Sequence, residues 1–211
     1  MVSFLPASPA QPPDCPCGTR SGIGAVDRRA HTIHHMRWAI GVPIPAALQT
    51  AWPSAAIAVV TTVSSIAWRR LAYELAQAAR REGRYDTASF PVPLGRGRSD
   101  QDSVRTRALL YRHQDVTAGY LVLLDEPTAG RYNLRTRQST DAGRGTIRPT
   151  VGLVFVACHL RRAGIGRALV QAAAEQAHVT PAELAWWSPF TEDGAALARS
   201  VAGSEASVWV A

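Results

Sequence analysis

The chain has 211 residues, 46% of them apolar and 18% charged, a balance that describes a folded core with room for one small accessory module and excludes a disordered or fibrous protein. Its formal net charge is +7, and all 23 basic residues are arginine, which favours anionic partners; without a dense arginine run, nucleic acid finds little support among them. Three cysteines, two nearly adjacent, make no disulfide framework, no apolar stretch is long enough to span a bilayer, and the N-terminus lacks a signal-peptide pattern, so the expected location is the cytoplasm.

Residues 1–13 carry Pro6, Pro9, Pro12 and Pro13 among small side chains and read as a disordered tail. Cys15 and Cys17 come next, and after residues 18–30 His31 and His35. This is the ligand order of a Cys2His2 zinc site, with thiolates on a tight turn and imidazoles one helical turn apart if 27–38 is helical. His34 is an alternative second imidazole, and the Cys-x-Cys bite is one residue shorter than usual. Residues 14–40 are therefore a zinc-finger-like module, and 41–52, with Pro43 and Pro45, a linker.

The expected catalytic-size domain spans 53–211. Ile57 to Val60 is a short strand. Ser64-Ser65 caps a helix to about Glu82, with Ile66, Leu71, Leu75 and Ala79 inward. Thr87 to Pro91 is a further short strand. Thr106 to Tyr111 and Ala118 to Leu123 form a hairpin through His113-Gln114-Asp115. Residues 128–148, polar and without apolar periodicity, read as a flexible loop.

Val151 to Val156 is an apolar, β-branched run, a buried strand. It turns through Arg161-Arg162-Ala163-Gly164-Ile165-Gly166 and enters a helix with Ile165, Leu169 and Val170 on one face, ending near His178. A Gly-bearing turn into a helix N-terminus is a phosphate cradle: first-turn amides lack intrahelical partners, the helix dipole adds positive charge, and glycines let a pyrophosphate approach. Arg161, Arg162 and Arg167 add charge. Glu183 to Trp187 is another strand, Ser188 to Gly194 a turn opening a helix that contains Ala195 to Val201, and Ser207 to Val210 a last strand. The order gives an α/β (α+β) domain, a mixed central sheet flanked by helices.

Arg-x-x-Gly-x-Gly after an apolar strand resembles the acetyl-CoA motif of the GNAT acetyltransferases; it lacks the Lys-Ser/Thr of a nucleotide P-loop. The N-terminal segment, through Cys15, Cys17, Gly18, Asp27, His31, Thr32, His34 and His35, resembles the finger of the sister-chromatid-cohesion establishment acetyltransferases. Leu153 to Leu169 is similar to their CoA-binding strand–turn–helix, and Glu183-Leu184-Ala185-Trp186 precedes a Pro-x-x-x-Asp-Gly turn, as in that family. The resemblance covers most of 14–211.

It implies a GNAT-like fold and transfer of acetyl from acetyl-CoA to an amine, a protein lysine in that family. The amine attacks directly in a ternary complex, and the zinc is structural. By the resemblance, acetyl-CoA lies against Val154, Phe155 and Val156; Arg161, Arg162, Ala163, Gly164, Ile165, Gly166 and Arg167 hold its pyrophosphate; and Thr191, Glu192 and Asp193 complete the cleft. Asp193, Ser188, Glu183 and His159 are the candidate acid–base residues, with Asp193 also a candidate helix N-cap. Family members carry a serine and an aspartate where this chain has Gly152 and Ser188, so those two roles do not carry over. Two other readings fit the residues: a zinc-bearing protein- or DNA-binding module on a catalytically degenerate fold, and a small-molecule amine acetyltransferase.

Overall fold

Strict alternation along two strands divides the protein into layers. The structure, a computed structural model, describes residues 15–17, 25–83, 90, 106–141, 145–202 and 207–211. Strands β3 (Arg107–His113) and β4 (Val116–Pro127) form the expected hairpin, with Gln114 at a left-handed φ of 55° in the turn. Ala108, Leu110, Tyr120 and Val122 point to one face of the sheet and Leu109, Leu121 and Leu123 to the other, and all are fully buried. A strand that buries both faces sits in the middle of a three-layer domain.

The remaining described strands are β1 (Val42–Pro43), β2 (Ile57–Thr61), β5 (Gly130–Asn133), β6 (Gln138–Asp141), β7 (Ile147–Val156), β8 (Ala185–Trp186) and β9 (Ser207–Val210). They form one mixed sheet in the order β2-β3-β4-β7-β8-β9-β5-β6, with β1 pairing the start of β4. Pairing is antiparallel except at β7–β8 and β8–β9.

The helices are α1 (Ala25–Ala39), α2 (Ala46–Ala51), α3 (Ile66–Gly83), α4 (Ile165–Gln176) and α5 (Glu192–Val201). Helix α3 covers the first face, burying Leu71, Ala72, Leu75, Ala76 and Ala79 against Val60, Leu110, Tyr120 and Phe155. Ile66, expected inward, stands at the first helical position and is 38% exposed. Helices α4 and α5 cover the second face with Ile165, Leu169, Val170, Ala173 and Ala198.

Four expectations change. The segment read as a linker, 41–52, holds β1 and α2, and Val42, Ile44, Leu48 and Trp52 are buried with α3. Its prolines are compatible with this. Pro43 lies in a two-residue strand that pairs on one side only, and Pro45 sits at the start of α2, where a missing N–H leaves no helical bond unmade. The segment read as a flexible loop, 128–148, contains β5, β6 and the start of β7. The turn between β5 and β6 is held by Asn133, whose Oδ1 accepts from the amides of Arg135 and Thr136 at 2.9 and 3.0 Å. The strand expected over Glu183 to Trp187 is confined to Ala185–Trp186, because residues 181–183 form a 3-10 turn in which Glu183 reaches back to Thr180 in a capping box. Helix α5 begins at Glu192, ahead of the expected Ala195, and Thr191 is its N-cap in place of Asp193: the Gly194 amide donates to Thr191 Oγ1 at 3.0 Å. Of the tail at 1–13 and the strand at 87–91, only Phe90 lies within the described residues; it is buried against α3 and is not in a strand.

Candidate functional site

The sheet opens at its centre. Strand β8 pairs β7 only at Thr150–Ala185 and Val151–Trp186, and the last bond is donated by the Trp187 amide to Val151 O at 3.0 Å. From Gly152 to Val156, β7 runs on with β4 on one side and no described strand on the other. Backbone groups on an unpaired strand edge are free to bond a ligand that lies along it.

Gly152 is the extra residue of a β-bulge: Val122 pairs Leu153 and Leu123 pairs Val151, leaving Gly152 without a partner. The bulge turns Val151 toward α4 and α5 while Leu153 packs under α3, although the two residues would share a face of a regular strand. A Cβ on Gly152 would lie 3.0 Å from Leu124 Cδ1, 3.1 Å from Val122 Cγ1 and 3.5 Å from the Trp187 ring. The space a serine would take is thus already filled by neighbouring side chains.

Beyond Val156 the chain is pinned by the Ala157 amide on Ala118 O at 2.8 Å, makes a 3-10 turn over Cys158–Leu160, and reaches α4 through Arg161 to Gly164. Arg162 and Gly164 have φ of 67° and 82°, the left-handed region. The first helical bond is Ala168 N to Gly164 O at 3.0 Å, so the amides of Ile165, Gly166 and Arg167 have no helical acceptor. Among the described residues nothing lies within 4 Å of a Cβ built on Gly164. Gly166 is different: its Cβ would meet Leu197 of α5 at 3.3 and 3.4 Å. Its missing side chain therefore serves the packing of α4 on α5, whereas Gly164 faces open space.

The arginines also divide. Arg161 turns inward, donating from Nε to Val156 O at 3.0 Å and pairing with Glu82 of α3. Arg162 is exposed and pairs with Asp193 in the first turn of α5 at 2.6 Å. Arg167 is exposed on α4 and makes no side-chain hydrogen bond or ion pair among the described residues.

The acid–base candidates are not brought into one group. Glu183 is fully exposed, and its carboxylate accepts from the Thr180 amide at 2.7 Å and hydroxyl at 2.8 Å. Those bonds hold its pKa below the ordinary value, which suits a cap and not a base at neutral pH. Asp193 is committed to Arg162. His159 is exposed on the 3-10 turn and Ser188 exposed after Trp187, and neither has a side-chain partner among the described residues. Thr191 and Glu192 lie on the wall of a cavity of about 470 Å³ with Tyr132, Phe190 and Arg199. Sequence reading passed over Tyr120, opposite Phe155 in the register of β4 and β7. Its hydroxyl is buried without a hydrogen-bond partner among the described residues, and burial pushes its pKa up. A tyrosine in an apolar strand carries no signal that distinguishes it from core.

At the N-terminal end, Cys15, Cys17, His31 and His35 each bring one ligand atom within 4.8 Å of the others. His31 and His35 stand one turn apart on α1, as i,i+4 spacing requires, with their rings at 85°. Cys15 Sγ lies 3.3 Å from His35 Nδ1, and His31 Nε2 is buried with no hydrogen-bond partner among the described residues. An orphaned imidazole nitrogen facing two sulfurs and a second imidazole fits a tetrahedral thiolate-and-imidazole metal site. His34 stands outside that set. Its Nε2–H donates to Cys17 O at 2.9 Å, and burial holds its pKa below the usual value. It clamps the cysteine turn to α1 as a neutral ring.

No protein-family model matches the chain, and no curated protein matches it. Solved structures do. The acetyltransferase domain of xEco2 bound to a CoA conjugate is 18% identical, with a TM-score of 0.59, covering 74% of this chain and 91% of that one. Another structure of the xEco2 acetyltransferase domain is also 18% identical, with a TM-score of 0.52, covering 74% of this chain and 89% of that one. At this identity the likeness establishes the fold, which is that of the GNAT acetyltransferases.

Proposed function

We propose that this chain is an acetyl-CoA-dependent N-acetyltransferase that acetylates an amine, a protein lysine by its likeness to the cohesion-establishment enzymes, by direct attack in a ternary complex. The observation that carries the reading is the open edge of β7 from Gly152 to Val156, running into a turn with free space at Gly164 and unpaired amides at the start of α4. The CoA conjugate held by the xEco2 domain supports the same assignment.

In this reading the Ile165, Gly166 and Arg167 amides, with Arg162 and Arg167, hold the pyrophosphate at Gly164. The unpaired β7 amides around Val154 and Val156 orient the thioester and polarise its carbonyl, stabilising the oxyanion that forms on attack. The acceptor must arrive as a neutral amine, so its proton passes to water or to an exposed group; of the four candidates, Ser188 and His159 are the two not bound to another described side chain. Bound zinc would supply a structural crosslink between the cysteine turn and α1, held by Cys15, Cys17, His31 and His35. The chain would act in the cytoplasm; no helix among the described residues is long and apolar enough to cross a membrane.

A second reading, a fold that binds without catalysing, draws on the crowding at Gly152 and on the separation of the acid–base candidates. Calorimetric titration with acetyl-CoA followed by a mass-spectrometric screen of lysine peptides, N-terminal peptides and small amines separates the two. Acetyl-CoA should bind with a dissociation constant of roughly 1 μM–1 mM, the usual range for an enzyme substrate, and at least one acceptor class should gain an acetyl group. Binding without transfer selects the second reading, and no binding removes the acetyl-CoA assignment. Purified protein should also hold about one zinc, lost in Cys17→Ser and His31→Ala.

A further inference from the structure

We infer that the Cys/His cluster positions the neighbouring cofactor loop through Trp38 and Arg161, so that metal occupancy of the cluster sets ligand affinity at the loop. The inference rests on the acetyl-CoA reading of the loop. It begins at His35, a cluster residue whose ring centroid lies 5.3 Å from that of Trp38 on the same helix. Trp38 is 8% exposed and shares the core with Cys17 and α3. The guanidinium carbon of Arg161 sits 6.0 Å from the Trp38 ring centroid, at the outer range of a cation–π contact. The same guanidinium holds Val156 O and the Glu82 carboxylate.

Four elements therefore converge on one side chain: α1 through Trp38, α3 through Glu82, β7 through Val156, and the loop that Arg161 itself begins. Arg162 and Gly164 follow at once, both with left-handed φ. A left-handed arginine costs roughly 1–2 kcal/mol, and such a conformation persists only when its surroundings fix it. Arg161 is the side chain that ties the start of this loop to the core. Its Nε and one terminal nitrogen are already bonded within the protein, so it acts on the cofactor by positioning and not by contact.

The cluster end is the part able to change. Apart from the cluster itself, the cysteine turn is joined to α1 by the His34–Cys17 bond, while the C-terminal end of α1 is docked through Trp38, Ala39 and the Arg37–Glu74 pair at 2.9 Å. Losing the metal frees the His35 ring, which packs on Trp38, and so loosens the surface on which Arg161 rests. The helix need not unfold for the loop to feel it.

The test uses the full chain, zinc-loaded and stripped with a chelator, as wild type and as Arg161→Gln. Two quantities are measured: the dissociation constant of acetyl-CoA, and hydrogen exchange of the amides at 161–166 without ligand. Stripping zinc from the wild type should weaken acetyl-CoA about tenfold, within the usual range of coupling between sites, and speed exchange at 161–166. In Arg161→Gln the loaded protein should already exchange fast and bind weakly, and stripping zinc should change its affinity by less than about twofold. Glu82→Gln, which keeps Arg161 in place but removes its carboxylate, should fall between the two and covers the case in which Arg161→Gln does not fold. Unchanged exchange at 161–166 on zinc removal, equal weakening in wild type and variant, or a chain that binds no zinc would each overturn the inference. If loaded wild type binds no acetyl-CoA, the cofactor reading fails, and the exchange measurement alone decides the coupling.

Discussion

Arg162 and Asp193 meet at 2.6 Å, joining the loop ahead of α4 to the first turn of α5. Their side chains are 78% and 62% exposed, so the pair adds little to stability. Its importance lies in competition: the carboxylate occupies a cation that, in the acetyl-CoA reading, faces phosphate. Asp193→Asn should therefore tighten acetyl-CoA binding at low salt, by up to about fivefold, and the gain should shrink as salt screens both partners. Thermal stability should hold, because Thr191 and not Asp193 caps α5. Calorimetric titration at two salt concentrations checks this, and a hundredfold loss of turnover would instead make Asp193 the proton acceptor.

Gly164 combines a left-handed φ of 82° with empty space. Gly164→Ala should cost about 1 kcal/mol in backbone strain, and Gly164→Asn less, since asparagine tolerates that conformation. Gly164→Glu should abolish acetyl-CoA binding by filling the space with negative charge, with a melting temperature close to that of the alanine variant. An affinity that follows stability across the three variants would remove the phosphate from this loop.

Gly152→Ser adds a side chain at a bulge where Leu124 and Val122 stand 3.0 and 3.1 Å from the new Cβ. Overpacking of this kind costs about 1–3 kcal/mol. Denaturant unfolding should show that loss, and Leu124→Ala in the same protein should recover part of it. Full wild-type stability for the single variant would mean that the bulge has more room than its neighbours indicate.

Glu183 ties acid stability to the 3-10 turn. Its pKa lies below the ordinary 4.5 because the Thr180 amide and hydroxyl bond the charged form. A depressed carboxylate stabilises the fold fully above the unfolded-state pKa, and the contribution is lost as pH falls through the lower folded-state value. Thr180→Ala removes the hydroxyl and should move the Glu183 titration back up toward 4.5, followed by NMR. An unmoved titration would show that the hydroxyl does not hold the carboxylate in solution.

Legibility in the sequence followed the range of the interactions. Helix α4 was readable because Ile165, Leu169, Val170 and Ala173 repeat with the helical period and bury one face. The Cys/His group was readable because His31 and His35 obey i,i+4 spacing. Strands β5 and β6 were not: Arg131, Tyr132 and Asn133 show no alternation, and what makes β5 a strand is Val208 and Val210, far along the chain. The inward turn of Arg161 was hidden for a similar reason. Beside Gly164 it reads as a phosphate ligand, and only the position of Glu82 on α3 turns it inward. The choice of His35 over His34 depended on which ring faces the Cys17 carbonyl, a matter of helix rotation that spacing leaves open.

Strand β9 lies inside the sheet, between β8 and β5, and its pairing with Gly130 to Asn133 is what attaches the β5–β6 hairpin. During synthesis that hairpin must wait, its partner edge absent, until Ser207 to Val210 have been made. The β2-β3-β4-β7 half, built largely from neighbours in sequence, has no such delay. Folding of this protein should thus be slow and polarised, with closure of the far half of the sheet as the late step, because long-range strand pairing carries the larger loop-closure entropy.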